Sequence, residues 1–394
     1  MNNTPHSNRL HIAVFGRRNS GKSSLVNALT GQDTALVSAT PGTTTDPVTK
    51  AMEVYPLGPC LFIDTPGFDD DEGELGGMRV ERTLKTVEKA DIALLLYEAD
   101  GTLEQQWIKL LAAREIPVIL ILNKADSRQD TASVVLRIEK ECGQVPVVVS
   151  AKEGTGIQGI FDAILEKLPE NFGEQTITGN LVSEGDVVLL VMPQDMQAPK
   201  GRLILPQVQT IRELLDKKCL VMSCTTDKLQ ASLQALARPP KLIITDSQVF
   251  KAIYEQKPKE SELTSFSVLF AGYKGDIHYY VESAAVIERL TESSRVLIAE
   301  ACTHAPLSED IGRVKLPRLL RKRIGENLQI DMVAGTDFPQ DLTPYSLVIH
   351  CGACMFNRKY VLSRIERARE QHIPMTNYGV AIAFLNGILD QIKY

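Results

Sequence analysis

Cysteine is scarce, and positive charge is not in excess. Seven cysteines in 394 residues are an odd number spread thinly, which argues against a disulfide framework and for a reducing cytoplasm. Lys and Arg total 43 against 49 Asp and Glu, a net charge of −6, so no nucleic-acid partner is expected. No apolar run reaches about 18 residues, the length that marks a membrane-spanning helix. The opening stretch, Met1 to Phe15, lacks the apolar core of a secretory signal. No membrane association is expected. What remains is ordinary for a soluble globular chain, with 44% hydrophobic and 23% charged residues, and the length leaves room for roughly two to four domains.

The strongest motif lies near the front. His11 to Phe15 reads as a short apolar strand that runs into Gly16-Arg17-Arg18-Asn19-Ser20-Gly21-Lys22-Ser23, and Leu25 to Leu29 continues as a helix. This is G-x-x-x-x-G-K-S in its strand–loop–helix setting. Such glycines let backbone N–H groups wrap a phosphate at a helix N-terminus. Gly16, Asn19, Ser20, Gly21 and Ser24 are expected in that cradle. Lys22 is expected at the β- and γ-phosphates, and the Ser23 hydroxyl on Mg²⁺.

Three further motifs follow, each at the end of an apolar strand. Leu61-Phe62-Ile63 ends in Asp64-Thr65-Pro66-Gly67, where the carboxylate can organise the Mg²⁺ shell and the Gly67 amide can sense a γ-phosphate. Val118 to Leu122 ends in Asn123-Lys124-Ala125-Asp126. Asp126 can accept two hydrogen bonds from the guanine N1 and exocyclic amine, which adenine cannot supply. Val145 to Val149 leads to Ser150-Ala151-Lys152, a backbone contact for the guanine oxygen.

These motifs resemble the Era/TrmE-like branch of the translation-factor GTPases over roughly residues 8–170. Pro41-Gly42-Thr43-Thr44-Thr45-Asp46 looks like the switch I signature of that branch. Thr44 is taken as the Mg²⁺-ligating threonine, with Thr43 and Thr45 as close rivals. Lys22, Thr44 and Gly67 are the expected catalytic contacts. Asn19 stands where potassium-activated members carry an asparagine, so the resemblance implies a K⁺ ion beside the phosphates; the plainer role for Asn19 is to tolerate a tight loop. Phe68 follows Gly67 where Ras-like enzymes place a water-orienting glutamine. Phe68 cannot do that, so slow intrinsic turnover is expected.

Behind this segment, expected to span residues 8–172, a polar stretch from Glu174 to Asn180 reads as a linker. An α/β pattern then covers 180–262 with no catalytic constellation, which points to assembly, and homodimerisation is the expected role. The pattern restarts at about Ser265 and runs to 394, with Phe266 to Phe270 read as a strand and Glu282 to Thr291 as a helix. The strand Arg295 to Ala299 delivers Cys302 and His304. The strand Ser346 to Ile349 delivers His350, Cys351 and Cys354. Both clusters fall beyond the C-terminal ends of strands in one α/β sheet, where such sheets place ligands. On the residues alone, zinc and an iron–sulfur cluster are both open. Glu300, Glu309 and Asp310 are rival oxygen ligands, each more simply read as solvated. Cys60, Cys142, Cys219 and Cys224 read as structural, and Lys315, Arg318, Arg321, Lys322 and Arg323 as a basic helix.

The order of these parts resembles the FeFe-hydrogenase maturation GTPases over the whole chain. The resemblance implies a P-loop GTPase domain followed by two smaller α/β domains. It implies GTP, Mg²⁺, K⁺ and a 4Fe–4S cluster on Cys302, Cys351 and Cys354, with His304 or His350 as further ligand or sulfur partner. It implies a scaffold and carrier that hands a diiron precursor to apo FeFe-hydrogenase alongside radical-SAM maturases. The rival expectation is a ribosome- or RNA-associated GTPase with a structural zinc site.

Overall fold

The computed structural model describes residues 4–31, 47–69, 73–98, 101–168, 175–193, 203–301 and 310–394. Thr43, Thr44, Thr45, Cys302, His304 and Glu309 therefore lie outside the described residues. The chain divides into two compact units, 1–172 and 173–394.

The first unit is built on a six-stranded sheet. Its strands are β1 (Leu10–Phe15), β2 (Val48–Val54), β3 (Gly58–Asp64), β4 (Ile92–Leu96), β5 (Val118–Leu122) and β6 (Val147–Val148), in the order β2-β3-β1-β4-β5-β6. All neighbours are parallel except β2, which runs antiparallel to β3 at the edge. β1 and β4 are buried at every position. Runs such as Ile-Ala-Leu-Leu-Leu show no alternation because helices cover both faces of a parallel sheet. β2 is half exposed, with only Lys50 and Val54 buried, as suits an edge strand. The C-terminal ends of β1, β3, β5 and β6 all fall on one rim, and all four nucleotide motifs begin there.

The second unit holds two parallel sheets of four strands. One contains β7 (Val187–Val191), β8 (Leu220–Cys224), β9 (Leu242–Thr245) and β10 (Glu262–Ser265), ordered β10-β9-β7-β8. The other contains β11 (Arg295–Glu300), β12 (Gln329–Ala334), β13 (Leu347–His350) and β14 (Met375–Asn377), ordered β12-β11-β13-β14. One buried core runs from Leu189 and Ile243 of the first sheet through Val268 and Ala271 to Leu297 and Val348 of the second.

Two elements differ from expectation. Phe266–Phe270 is not a strand but part of a helix, Phe266–Lys274, begun by Ser265, whose hydroxyl accepts the Val268 N–H at 3.2 Å. Six of its nine residues are buried, so the polar stripe that would betray a helix is missing, and a short apolar run is ambiguous by periodicity. The expected helix Glu282–Thr291 begins earlier, at Ile277, and after Ala284 tightens into a 3₁₀ turn, Ala285–Arg289. No helix among the described residues is long and apolar enough to cross a membrane.

Candidate functional site

The phosphate loop is shaped by its glycines. Gly21 has φ +95°, and a Cβ there would come within 2.4 Å of Asn123 Nδ2. Any side chain would break the strap that Asn123 forms: Nδ2 donates to the Ser20 carbonyl at 3.1 Å, and Oδ1 accepts from the Ala151 N–H at 3.1 Å. Asn123 thus ties the phosphate loop to the Ser150-Ala151-Lys152 motif across β5 and β6. Lys124 adds a second tie, donating from Nζ to the Asn19 carbonyl at 2.6 Å. Asn19 itself has φ +59°, a left-handed conformation that asparagine adopts more readily than most residues.

Lys22 is buried, and its ammonium donates to the carbonyls of Gly16 at 2.9 Å and Arg17 at 2.6 Å. Burial lowers its pKa to about 8, while the carboxylates of Asp64, Asp69 and Glu98 pull the other way. Ser23 Oγ donates to Asp64 Oδ2 at 2.5 Å. The other oxygen, Asp64 Oδ1, is buried without a partner, and burial raises the carboxyl pKa. An orphaned carboxylate oxygen beside a serine hydroxyl is a hard-oxygen pair of the kind Mg²⁺ takes.

Gly67 packs against the loop so tightly that a Cβ would lie 2.7 Å from Arg18 Cγ. Asp69, which the sequence reading did not single out, accepts the Arg18 N–H at 2.7 Å. Phe68 turns into the core and stacks on Trp107, with ring centroids 4.9 Å apart. The helix Thr102–Ala113 that carries Trp107 also carries Glu104, fully buried and gripped by Arg17 through two bonds of 2.8 and 2.9 Å. One helix therefore braces both the phosphate loop and the segment after Gly67. At the base end, the exposed Asp126 accepts the Ser150 hydroxyl at 2.6 Å, a bond that lowers its pKa. Ser24 follows Ser23 in the helix Lys22–Thr30, and Lys152 is largely exposed beside Glu153.

In the second unit the ends of β11 and β13 meet. Cys351 Sγ accepts the Ala301 N–H at 3.0 Å and the Ala353 N–H at 3.4 Å. Ala301 precedes Cys302 in the chain, so the strand leading to Cys302 is pinned to the Cys351 sulfur. Burial pushes the Cys351 thiol up to about 11, against those two N–H bonds, which favour the thiolate. Beneath the loop lies Lys274, also absent from the sequence reading. It is 2% exposed, and its Nζ donates to the carbonyls of Ala353, Cys354 and Phe356. Burial lowers its pKa to about 8, opposed by Cys354 and Cys351.

His350 is not available as a metal ligand. Arg364 can only donate, so its 2.9 Å contact makes His350 Nε2 an acceptor. Nδ1 then carries the proton and donates to the Cys351 carbonyl at 2.8 Å. Both nitrogens are committed, and burial lowers the pKa to about 3, so the ring is neutral. Glu300 and Asp310 are not solvated either. They are 6% and 3% exposed; Glu300 pairs with Arg313 at 3.1 Å, and Asp310 accepts the Arg313 N–H at 2.8 Å. Among the described residues, no three His, Cys, Asp or Glu side chains gather closely enough to hold a metal. The basic helix Leu316–Ile324 presents Arg318, next to Lys315, along a cleft of about 470 Å³ that Lys251 also lines.

Three family models match in succession: 50S ribosome-binding GTPase over 11–124, hydrogen maturase F dimerization domain over 177–275, and hydrogen maturase F tetramerization domain over 278–393. Helix Phe266–Lys274 falls within the dimerization match, beyond the expected boundary at 262. The GTPase Era of Carboxydothermus hydrogenoformans is 32% identical over 165 residues, 40% of this chain and 55% of that protein. The tRNA modification GTPase MnmE of Caldicellulosiruptor saccharolyticus is 30% identical over 173 residues, 43% of this chain and 37% of that protein. The chain thus spans about half or less of these relatives. A crystal structure of an Aquifex aeolicus Era variant bound to GDP and aluminium fluoride aligns at 20% identity with a TM-score of 0.37, covering 58% of this chain and 98% of that one.

Proposed function

The chain belongs to the hydrogen maturase F family, and from that premise we propose that it is a GTP-hydrolysing scaffold and carrier for FeFe-hydrogenase maturation. It assembles with copies of itself, in keeping with the names of the two maturase matches. It holds a 4Fe–4S cluster on Cys302, Cys351 and Cys354 and delivers a diiron precursor, made with radical-SAM maturases, to apo-hydrogenase. Its free thiols suit a reducing cytoplasm.

The observation that carries this reading is the 3.0 Å bond from Ala301 N–H to Cys351 Sγ. It joins the strand entering Cys302 to the loop bearing Cys351 and Cys354. Backbone N–H bonds to a sulfur and a buried cation beneath it fit an anionic thiolate-bound cluster. A cluster held by three thiolates offers one iron for an exchangeable ligand. His304 remains a candidate beside it, while His350 orients the Cys351 carbonyl. The test is anaerobic reconstitution with iron and sulfide, followed by metal analysis and EPR. Iron with a reducible cluster signal is expected; stoichiometric zinc alone would replace this reading with a zinc-stabilised ribosome- or RNA-associated GTPase.

At the nucleotide end, Lys22 exchanges the Gly16 and Arg17 carbonyls for the β- and γ-phosphates. Asp64 and Ser23, with Thr44 from switch I, are the residues that would hold Mg²⁺, and the ion would supply positive charge to the phosphates. The Gly67 amide reads the γ-phosphate, the Ala151 amide the guanine oxygen, and Asp126 the guanine N1 edge. Phe68, stacked in the core, cannot orient the attacking water as a glutamine at that position would, and slow hydrolysis is expected.

Asn19 is the proposed K⁺ ligand, which would bring positive charge to the phosphates. Its left-handed backbone supplies the control, because Asn19→Gly keeps that conformation and removes only the amide. Wild type should turn over faster in KCl than in NaCl at equal ionic strength, and Asn19→Gly should lose that difference while still binding GTP. Equal wild-type rates in both salts would sink the K⁺ role.

A further inference from the structure

Two buried cations of the second unit converge on the Cys351 loop with no carboxylate partner among the described residues. Lys274 closes the helix Phe266–Lys274 and reaches the carbonyls of Ala353 at 3.3 Å, Cys354 at 3.3 Å and Phe356 at 2.6 Å. Arg364, 1% exposed, is enclosed by Phe338, Phe356 and Tyr360, with its guanidinium carbon 4.6 to 4.8 Å from each ring. It donates to His350 Nε2 and to the Gly335 carbonyl, and its Nε is buried without a partner. The nearby buried acids, Glu300 and Asp310, are engaged by Arg313.

Carbonyls and aromatic faces soften the desolvation of a cation, but they do not neutralise it. A fold that keeps two such charges against one loop calls for an anion at that loop. The ionisable groups that raise the Lys274 pKa against its burial are the sulfurs of Cys354 and Cys351, and Arg364 favours the thiolate form of Cys351.

We propose that Lys274 and Arg364 form a cationic seat under Cys351 and Cys354, built to hold an anionic metal–sulfide cluster and to favour its reduced, more negative state. They are positioning and charge-balancing residues rather than ligands. The inference rests on the thiolate reading above and adds to it the sign of the charge the site is made for. An anionic precursor docking on the same cluster would gain from the same field.

Lys274→Met removes the charge at similar length, and Lys274→Arg retains it. After reconstitution, each is titrated with dithionite under EPR. At a fixed potential, Lys274→Met should show about a tenfold smaller reduced fraction than wild type, a midpoint shift of about 59 mV to the negative for a one-electron couple, with Lys274→Arg close to wild type. The cluster-free protein supplies a second readout. Alkylation of Cys351 and Cys354 by anionic iodoacetate, relative to neutral iodoacetamide, should fall several-fold in Lys274→Met at low salt. An unchanged midpoint together with an unchanged alkylation ratio overturns the seat. Should the wild type take up no iron–sulfide, the cluster reading fails by itself and the alkylation ratio alone decides this inference. Should Lys274→Met not fold, Lys274→Gln, which still donates to a carbonyl, is read the same way.

Discussion

Cys351→Ala should come through anaerobic reconstitution folded but without its cluster. The Cys351 sulfur is the point where two segments distant in sequence meet, because it accepts N–H groups from Ala301 and Ala353. Its removal takes away a thiolate and also the acceptor that pins the approach to Cys302. Iron should fall from about four per chain, the content of a cubic cluster, to background. Activation of apo-hydrogenase should fall with it. Cys142, at the end of the helix Thr131–Cys142 in the first unit, supplies the control: Cys142→Ala should keep both iron and activation. Full iron content with an intact EPR signal in Cys351→Ala would remove this residue from the ligand set.

Asp126→Asn should bind GTP on the order of 100-fold more weakly, through loss of a charge-assisted bidentate contact. The variant should fold normally, since an asparagine oxygen can still accept the Ser150 hydroxyl that Asp126 accepts at 2.6 Å. It should also gain affinity for xanthosine triphosphate. Xanthine carries a carbonyl where guanine carries its exocyclic amine, and an amide N–H can meet that carbonyl. Calorimetric titration with both nucleotides measures the exchange. Unchanged GTP affinity would show that Asp126 does not read the base.

The nucleotide end is legible because its chemistry is local. Each motif is a run of a few residues at the end of an apolar strand, and parallel strands deliver such ends to one rim. Thus Asn123, Asp64 and Lys22 could be assigned before the sheet order was known. Asp69 escaped because its contact is with a backbone N–H, which any residue at position 18 except proline would offer.

The thiolate end is legible only in outline. Strand ends could bring the clusters together, but nothing in His350-Cys351 reveals that Arg364, fourteen positions on, fills the imidazole's second nitrogen. Nor does Phe-Ser-Val-Leu-Phe-Ala-Gly-Tyr-Lys announce a helix whose last residue lies buried under a distant loop. A helix enclosed on nearly all sides has no polar face to show, and a buried lysine looks like a surface one until its neighbours are known. Glu300 and Asp310 were misread for the same reason: one pairs with the Arg313 guanidinium and the other caps the turn at the Arg313 N–H, contacts no short motif reveals.

The stack of Phe68 on Trp107 has a practical side. The chain contains one tryptophan, so all of its indole emission arises from that single ring, which stacks on Phe68 at 4.9 Å and lies 5.5 Å from Phe15. Phe68, directly after the proposed γ-phosphate sensor Gly67, thus stacks on the chain's one tryptophan. If the proposed GTPase activity is present, nucleotide exchange and hydrolysis should be visible by stopped-flow on the unlabelled protein, with ordinary guanine nucleotides and no dye near the site.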